Sequence, residues 1–246
     1  MLETTLDYIL NHRVAVEQPK KGFRIAVDTV LLAAAVPAMT GQHILDIGCG
    51  VGGAMLCVAA RVTDLSLTGI EIQPELVELC RRNIEQNGLS DHAEVLGEDI
   101  KNFIPEPTYD HALMNPPYHD TARHDVSSNP LKGIANSATA DDLAVWIARA
   151  GKALKPNGTL TIIHRADCQD SIIAIVQQYF DDMAILPILP KQDMPPKRII
   201  IRATKNNRTA EAPLLCQPLI LHNSNDRYTD AAEGIVRGAQ SVVFNY

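Results

Sequence analysis

Short apolar runs alternate with segments of helical period over residues 43–204, and that alternation leaves few folds open to the chain. Runs of strand character fall at 43–47, 67–71, 93–96, 109–114, 159–164, 184–189 and 198–204. Helical patterns occupy 54–61, 74–87, 141–154 and 168–180. Pro74 stands in a first helical turn, where its missing N–H has no intrahelical partner to lose, and Gly88 follows the end of that helix. Helical crossovers join parallel strands. The last two strands have no helix between them and should pair antiparallel through a turn at 190–196. The expected fold is α/β: a doubly wound, Rossmann-like, seven-stranded and mostly parallel sheet with one antiparallel strand.

The first strand feeds a glycine loop, Leu45-Asp46-Ile47-Gly48-Cys49-Gly50-Val51-Gly52-Gly53. Glycine accepts positive φ and lets a ligand lie against the backbone. Gly48, Gly50 and Gly53 satisfy G-x-G-x-x-G, and Glu71 lies downstream where a ribose-binding acid would be, so a dinucleotide enters consideration. Charge argues against it. The Asp46 carboxylate, just ahead of the loop, would repel a pyrophosphate, whereas S-adenosylmethionine has no phosphate and carries a sulfonium and an ammonium. The methyl donor is the expected cofactor.

Ligands of doubly wound sheets bind beyond the carboxyl ends of the strands. Asp46, Glu71, Asp99 and Asn115 all fall at or after such ends, with Ile72 and Ile100 beside two of them. Glu71 can accept both ribose hydroxyls, and Asp99 can meet an adenine amino group. Asn115-Pro116-Pro117-Tyr118 suits a planar exocyclic amine: the Asn115 side-chain carbonyl and a backbone carbonyl of the proline pair accept its two N–H groups, and Tyr118 offers a stacking face. A stiff strand-ending turn is the plainer reading of the same tetrapeptide.

A chain of 246 residues, 46% of them hydrophobic, can bury one large core. We expect a domain over 41–246 with a short extension, 1–40, packing on the donor site. No apolar run is long enough to span a bilayer, and acids occupy the first thirteen residues where a signal peptide would be basic, so a cytoplasmic protein is expected. The five cysteines lack metal-ligand spacing and read as core residues, with neither disulfide nor zinc. The formal charge is −7, yet Lys191, Lys197, Arg198, Arg202, Lys205 and Arg208 cluster late in the chain. Such a stripe on an acidic body fits a polynucleotide substrate, with Lys197 and Arg198 as contacts; a guarded strand edge is the alternative. The long polar segment 119–138 reads as a substrate-gripping lid, His119 and His124 lack a third metal ligand, and His164 reads as structural.

These motifs together resemble the class I S-adenosylmethionine-dependent methyltransferases that carry Asn-Pro-Pro-Tyr and methylate planar nitrogens. Within that group the chain is similar to the tRNA1(Val) adenine-N6-methyltransferases, through the segments 22–32, 115–118 and 219–229. The resemblance implies donor contacts from Asp46, Gly48, Gly50, Glu71, Ile72, Asp99, Ile100 and Asn115. It implies catalysis by Asn115, Pro116, Pro117 and Tyr118, and a segment around Asp28 that closes over the donor. A plain helix N-cap is the alternative for Asp28. The implied partner is RNA, tRNA first, with a monomer favoured. Protein-glutamine N5-methylation, ribosomal-RNA guanine-N2 methylation and a non-catalytic RNA-binding role are the alternatives.

Overall fold

The computed structural model describes residues 2–22, 24–117, 140–205 and 212–245. In chain order the elements are β1 (Thr4–Ile9), β2 (Val14–Pro19), α1 (Val27–Ala35), β3 (His43–Ile47), α2 (Gly53–Ala59), β4 (Ser66–Glu71), α3 (Pro74–Gln86), β5 (Ala93–Gly97) and β6 (Tyr109–Met114). They continue with α4 (Ala140–Ala153), β7 (Leu154–Arg165), α5 (Gln169–Val176), β8 (Asp182–Leu189), β9 (Arg198–Thr204), β10 (Leu214–Leu215), β11 (Leu219–Ile220) and α6 (Asp230–Val236).

The main sheet has the order β10-β8-β9-β7-β6-β3-β4-β5, with β11 also pairing β8. β3 to β7 are parallel neighbours, and β9 lies antiparallel between β7 and β8. All seven expected strands are present, including the antiparallel one. Side chains alternate across the sheet, so Ile44, Leu67, Leu113, Ile163 and Ile200 join the core with α1, α2 and α3. Leu45, Ile47, Ile70, Met114, Ile162 and Ile201 face the opposite way, into the core with α4 and α5. Both sheet faces are covered, which is why these strands read as nearly continuous apolar runs.

Three features go beyond the expectation. β10 and β11 are two residues each, too short to carry a period. The helix expected over 168–180 is regular only from Gln169 to Val176, after a 3₁₀ turn at Ala166–Cys168. The third is a separate antiparallel hairpin formed by β1 and β2. Its connection passes through Leu10, Asn11 and His12, all at positive φ, and lacks the glycine that flags such a turn.

Asn83 of α3 and Asn87, which caps that helix one turn later, fasten this hairpin. Asn83 accepts from the Glu17 amide at 2.7 Å and donates to the carbonyls of Glu17 and Val51, each at 2.9 Å. Asn87 accepts from the Ala15 amide at 3.0 Å and donates to its carbonyl at 2.7 Å. The side-chain amides thus serve β2 as a neighbouring strand would. Asn83 is fully buried, and through Val51 it also ties the hairpin to the glycine loop.

Candidate active site

The glycine loop crosses the carboxyl end of β4, where the amides of Gly48 and Cys49 both donate to the Ile70 carbonyl at 2.8 and 3.0 Å. Gly48 has φ +69°, and a Cβ there would lie 2.6 Å from the Trp146 ring of α4, so its backbone rests directly on the indole. Gly50 is also at positive φ, +57°, and is buried, yet a Cβ there would meet nothing within 4 Å. A buried backbone beside open space is a cradle for a ligand.

Two carboxylates flank the cradle. Glu71, ending β4, accepts from the Gly50 and Gln73 amides, each at 2.9 Å. Burial raises its pKa, and the amides of Gln73, Gly50 and Ile72 oppose that rise by bonding to the charged form. Asp46 near the end of β3 accepts from the Met55 amide at 3.1 Å. Met55 lies in the first turn of α2. The protein's own carboxylate therefore fills the anion-favouring position at the start of α2, where a pyrophosphate would otherwise sit. An acidic, amide-lined cradle with Ile72 half exposed at its rim fits a cationic nucleoside such as S-adenosylmethionine.

Burial pushes the Asp46 carboxyl up to about 7, with the Glu71 charge adding to it and the Met55 amide opposing it. The unfolded chain releases that proton near the ordinary aspartate value of about 3.9. Since the folded protein holds the proton more tightly, Asp46 lowers stability progressively as pH rises from about 4 to about 7. A cationic ligand favours the ionised form, so donor affinity should fall as pH drops below about 7, where binding must expel the proton. At pH 8 we expect Asp46→Asn to stabilise the ligand-free protein by on the order of 2–4 kcal/mol and to weaken donor binding at least tenfold. Thermal denaturation and calorimetry check both; an unaltered ligand-free midpoint with unaltered affinity would contradict this role.

Asn115 follows Met114, which pairs with Ile47 across the sheet, so Asn115 and Gly48 leave adjacent strands at the same level. Asn115, Asp46, Gly48, Ile25 and Thr29 line one cleft. Pro116 and Pro117 continue beside it. Tyr118 and the expected lid at 119–138, with His119 and His124, lie outside the described residues. Asp99 stands past the end of β5 and accepts from the Lys101 amide at 2.9 Å, a local turn bond, while the neighbouring Ile100 is buried.

The late basic cluster divides. Because β9 runs against its neighbours, pairing Arg165 with Arg198 and Thr159 with Thr204, its start lies at the ligand edge and its end at the opposite edge. Lys205 is committed to the carbonyls of Gly151 and Leu154, and Arg202 stacks on the Phe244 ring. Arg208 is outside the described residues. Lys197 is exposed at the ligand edge, while Arg198 beside it donates to Asp28 at 2.7 Å. Asp28 accordingly is neither a cap nor a lone acid: Ala26 is the N-cap residue, and the aspartate ties α1 to β9. His164 is buried within β7.

Sequence reasoning passed over Ile25 and Thr29, which line the cleft, and Trp146 beneath Gly48. Trp146 is the chain's single tryptophan, on the apolar side of an amphipathic helix, and that rarity is the signal that was available.

A parallel sheet wound on both faces, with a glycine cradle between Asp46 and Glu71 and an Asn-Pro-Pro sequence at the next strand end, defines an S-adenosylmethionine-dependent methyltransferase. The chain belongs to the methyltransferase small domain family, whose model matches residues 23–187. It is 28% identical to a tRNA1(Val) (adenine(37)-N6)-methyltransferase of Bacteroides fragilis, over 85% of this chain and 89% of that protein. An rRNA N(6)-adenosine-methyltransferase of Caenorhabditis elegans is 26% identical over 65% of this chain and 69% of its own length. Among solved structures, a predicted O-methyltransferase from Agrobacterium tumefaciens superposes with a TM-score of 0.72 at 26% identity, covering 89% of this chain and all of the other.

Proposed function

We propose that the protein methylates the N6 amino group of adenine in an RNA, tRNA first, acting in the cytoplasm as a monomer. The observation that carries this reading is the shared cleft: Asn115, followed by two prolines, opens onto the same space as Asp46 and Gly48. The names of the Bacteroides and nematode relatives support adenine N6 as the target and RNA as its carrier.

In this reading S-adenosylmethionine supplies an electrophilic methyl group on its sulfonium. Asp46 and Gly48 hold its charged amino-acid end, Gly50 lies against it, Glu71 takes the ribose hydroxyls, and Ile72, Asp99 and Ile100 surround the adenine. The exocyclic nitrogen of the target is a poor nucleophile because its lone pair is delocalised into the ring. The Asn115 side-chain oxygen and the Pro116 carbonyl accept its two hydrogens, hold the amine partly pyramidal and aim the lone pair. Pro117 stiffens the clamp and Tyr118 stacks on the base. The amine becomes acidic as it is methylated, so one proton passes to water and no dedicated base is needed. Lys197 and Arg198 contact RNA phosphates at the rim, and residues 1–40 cover the donor.

The test is methyl transfer from labelled S-adenosylmethionine to unmodified tRNA and rRNA transcripts, with the product nucleoside identified by mass spectrometry. N6-methyladenosine in tRNA is the expected product. Label in rRNA alone would move the substrate, and label in neither RNA would overturn the RNA reading.

A further inference from the structure

A second cavity, of about 400 Å³, opens on the same rim of the fold. Tyr8, Asn11 and His12 of the hairpin form one wall, Ile25 and Val27 at the start of α1 the floor, and Tyr228 and Arg237 beside α6 the other wall. Its volume falls within the roughly 300–1,000 Å³ of small-ligand sites. Ile25 lines this cavity and the donor cleft alike, so the two spaces adjoin at that residue.

Its position follows from two contacts. Asp28 in the first turn of α1 bonds Arg198 at the ligand edge, and the His222 amide donates to the Pro190 carbonyl just beyond the carboxyl end of β8. The start of α1 and the Tyr228 turn therefore stand on the edge from which Asn115 projects.

The lining has a definite chemistry. Tyr8 is 53% exposed and packs on His12 with ring centroids 5.0 Å apart; Tyr228 stacks on His222 at 4.9 Å. Each tyrosine ring is thus braced by a neighbouring imidazole, and both tyrosines line the cavity. In a chain with 29 acidic against 22 basic residues, none of the described lining residues is acidic, and Arg237 supplies a guanidinium. Glu233 pairs with that guanidinium from outside the cavity at 3.0 Å, an exposed pair of small worth. Braced aromatic faces, an amide, an imidazole and a cation over an apolar floor match an unpaired nucleotide: a flat base to stack and a phosphate to neutralise. Leu10, Asn11 and His12, the three consecutive residues at positive φ, are the segment that turns the hairpin tip toward this space.

We propose that this cavity holds an unpaired nucleotide of the RNA substrate, adjacent to the methylated base, with its base against the Tyr8 and Tyr228 rings and its phosphate met by Arg237. The inference rests on the RNA reading above. Stacking there helps to splay the strand, so that the target base can enter the cleft at Asn115 while its neighbour is anchored.

The experiment measures methylation of a tRNA transcript by the full chain. Tyr8→Ala and Tyr228→Ala should each raise the KM for RNA roughly tenfold or more, with kcat and the Kd for S-adenosylmethionine within twofold of the parent. Tyr8→Phe should restore the parent KM. Arg237→Gln, at an exposed position, should lower the slope of log KM against log salt by about one. An unchanged KM in the alanine variants and an unchanged salt slope overturn the proposal, even if the cavity takes free adenosine monophosphate. If the parent methylates tRNA and the variants match it, this site falls and the RNA reading stands. If the parent methylates no RNA, both fall.

Discussion

Asn115→Ala should lower kcat for methyl transfer by about 100- to 1,000-fold, the cost of removing one preorganised group that holds the reacting atom, while S-adenosylmethionine binds within a few-fold of its parent affinity. The expectation follows from where the residue stands. Its strand pairs β3 residue for residue up to Ile47 and Met114, so the position is set by the sheet. Truncation leaves the sheet, the Pro116-Pro117 segment and the Asp46 carboxylate in place and removes the side-chain oxygen proposed to accept from the target amine. Asn115→Asp keeps an acceptor and adds a charge beside Asp46, and should recover only part of the loss. Equal loss of donor affinity and kcat in Asn115→Ala would make the residue part of the donor site and remove the amine clamp.

Gly48→Ala should be the most damaging change in the glycine loop. The left-handed φ of +69° costs a Cβ-bearing residue about 1–2 kcal/mol by itself. The added carbon would also stand 2.6 Å from the Trp146 ring, a rigid group that must be displaced together with its helix. We expect a loss of about 2–4 kcal/mol in urea denaturation, from strain and overpacking together, and at least a tenfold loss of donor affinity. Gly41→Ala is the control: its φ is +83°, nothing lies within 4 Å of its Cβ, and it precedes β3, at the opposite end of that strand from the cradle. That variant should lose about 1–2 kcal/mol and keep its donor affinity. Equal effects of the two substitutions would show that backbone strain alone matters and that Trp146 does not brace the loop. Replacing Trp146 with leucine in the Gly48→Ala background should recover part of the affinity if the indole is the obstacle.

How much of this could be read from sequence depended on the range of the forces involved. The core strands other than the edge strand β5 were legible because they are largely buried on both faces, and Pro74 and Gly88 punctuate α3 through local backbone chemistry. The antiparallel β9 was legible from the absence of a helix between 189 and 198. Asp46 and Glu71 stood out because they interrupt apolar strand ends, and the structure places both beside the glycine loop. The hairpin was harder to see. Its Val14 and Val16 alternate as a strand should, but its turn lacks a glycine, and its anchor is a pair of asparagines 66 to 72 residues away. Trp146 under Gly48 and the division of the basic cluster by strand direction likewise depend on tertiary register, which local patterns do not encode.

The proposed reaction converts adenine to N6-methyladenosine in RNA with S-adenosylmethionine as donor. Nucleoside mass spectrometry of fractionated RNA from cells lacking the protein tests it most directly. N6-methyladenosine should disappear from a tRNA species and return on expression of the parent chain, and it should not return with Asn115→Ala. An unchanged N6-methyladenosine content in every RNA fraction, with a methylated amide lost from a protein instead, would contradict it.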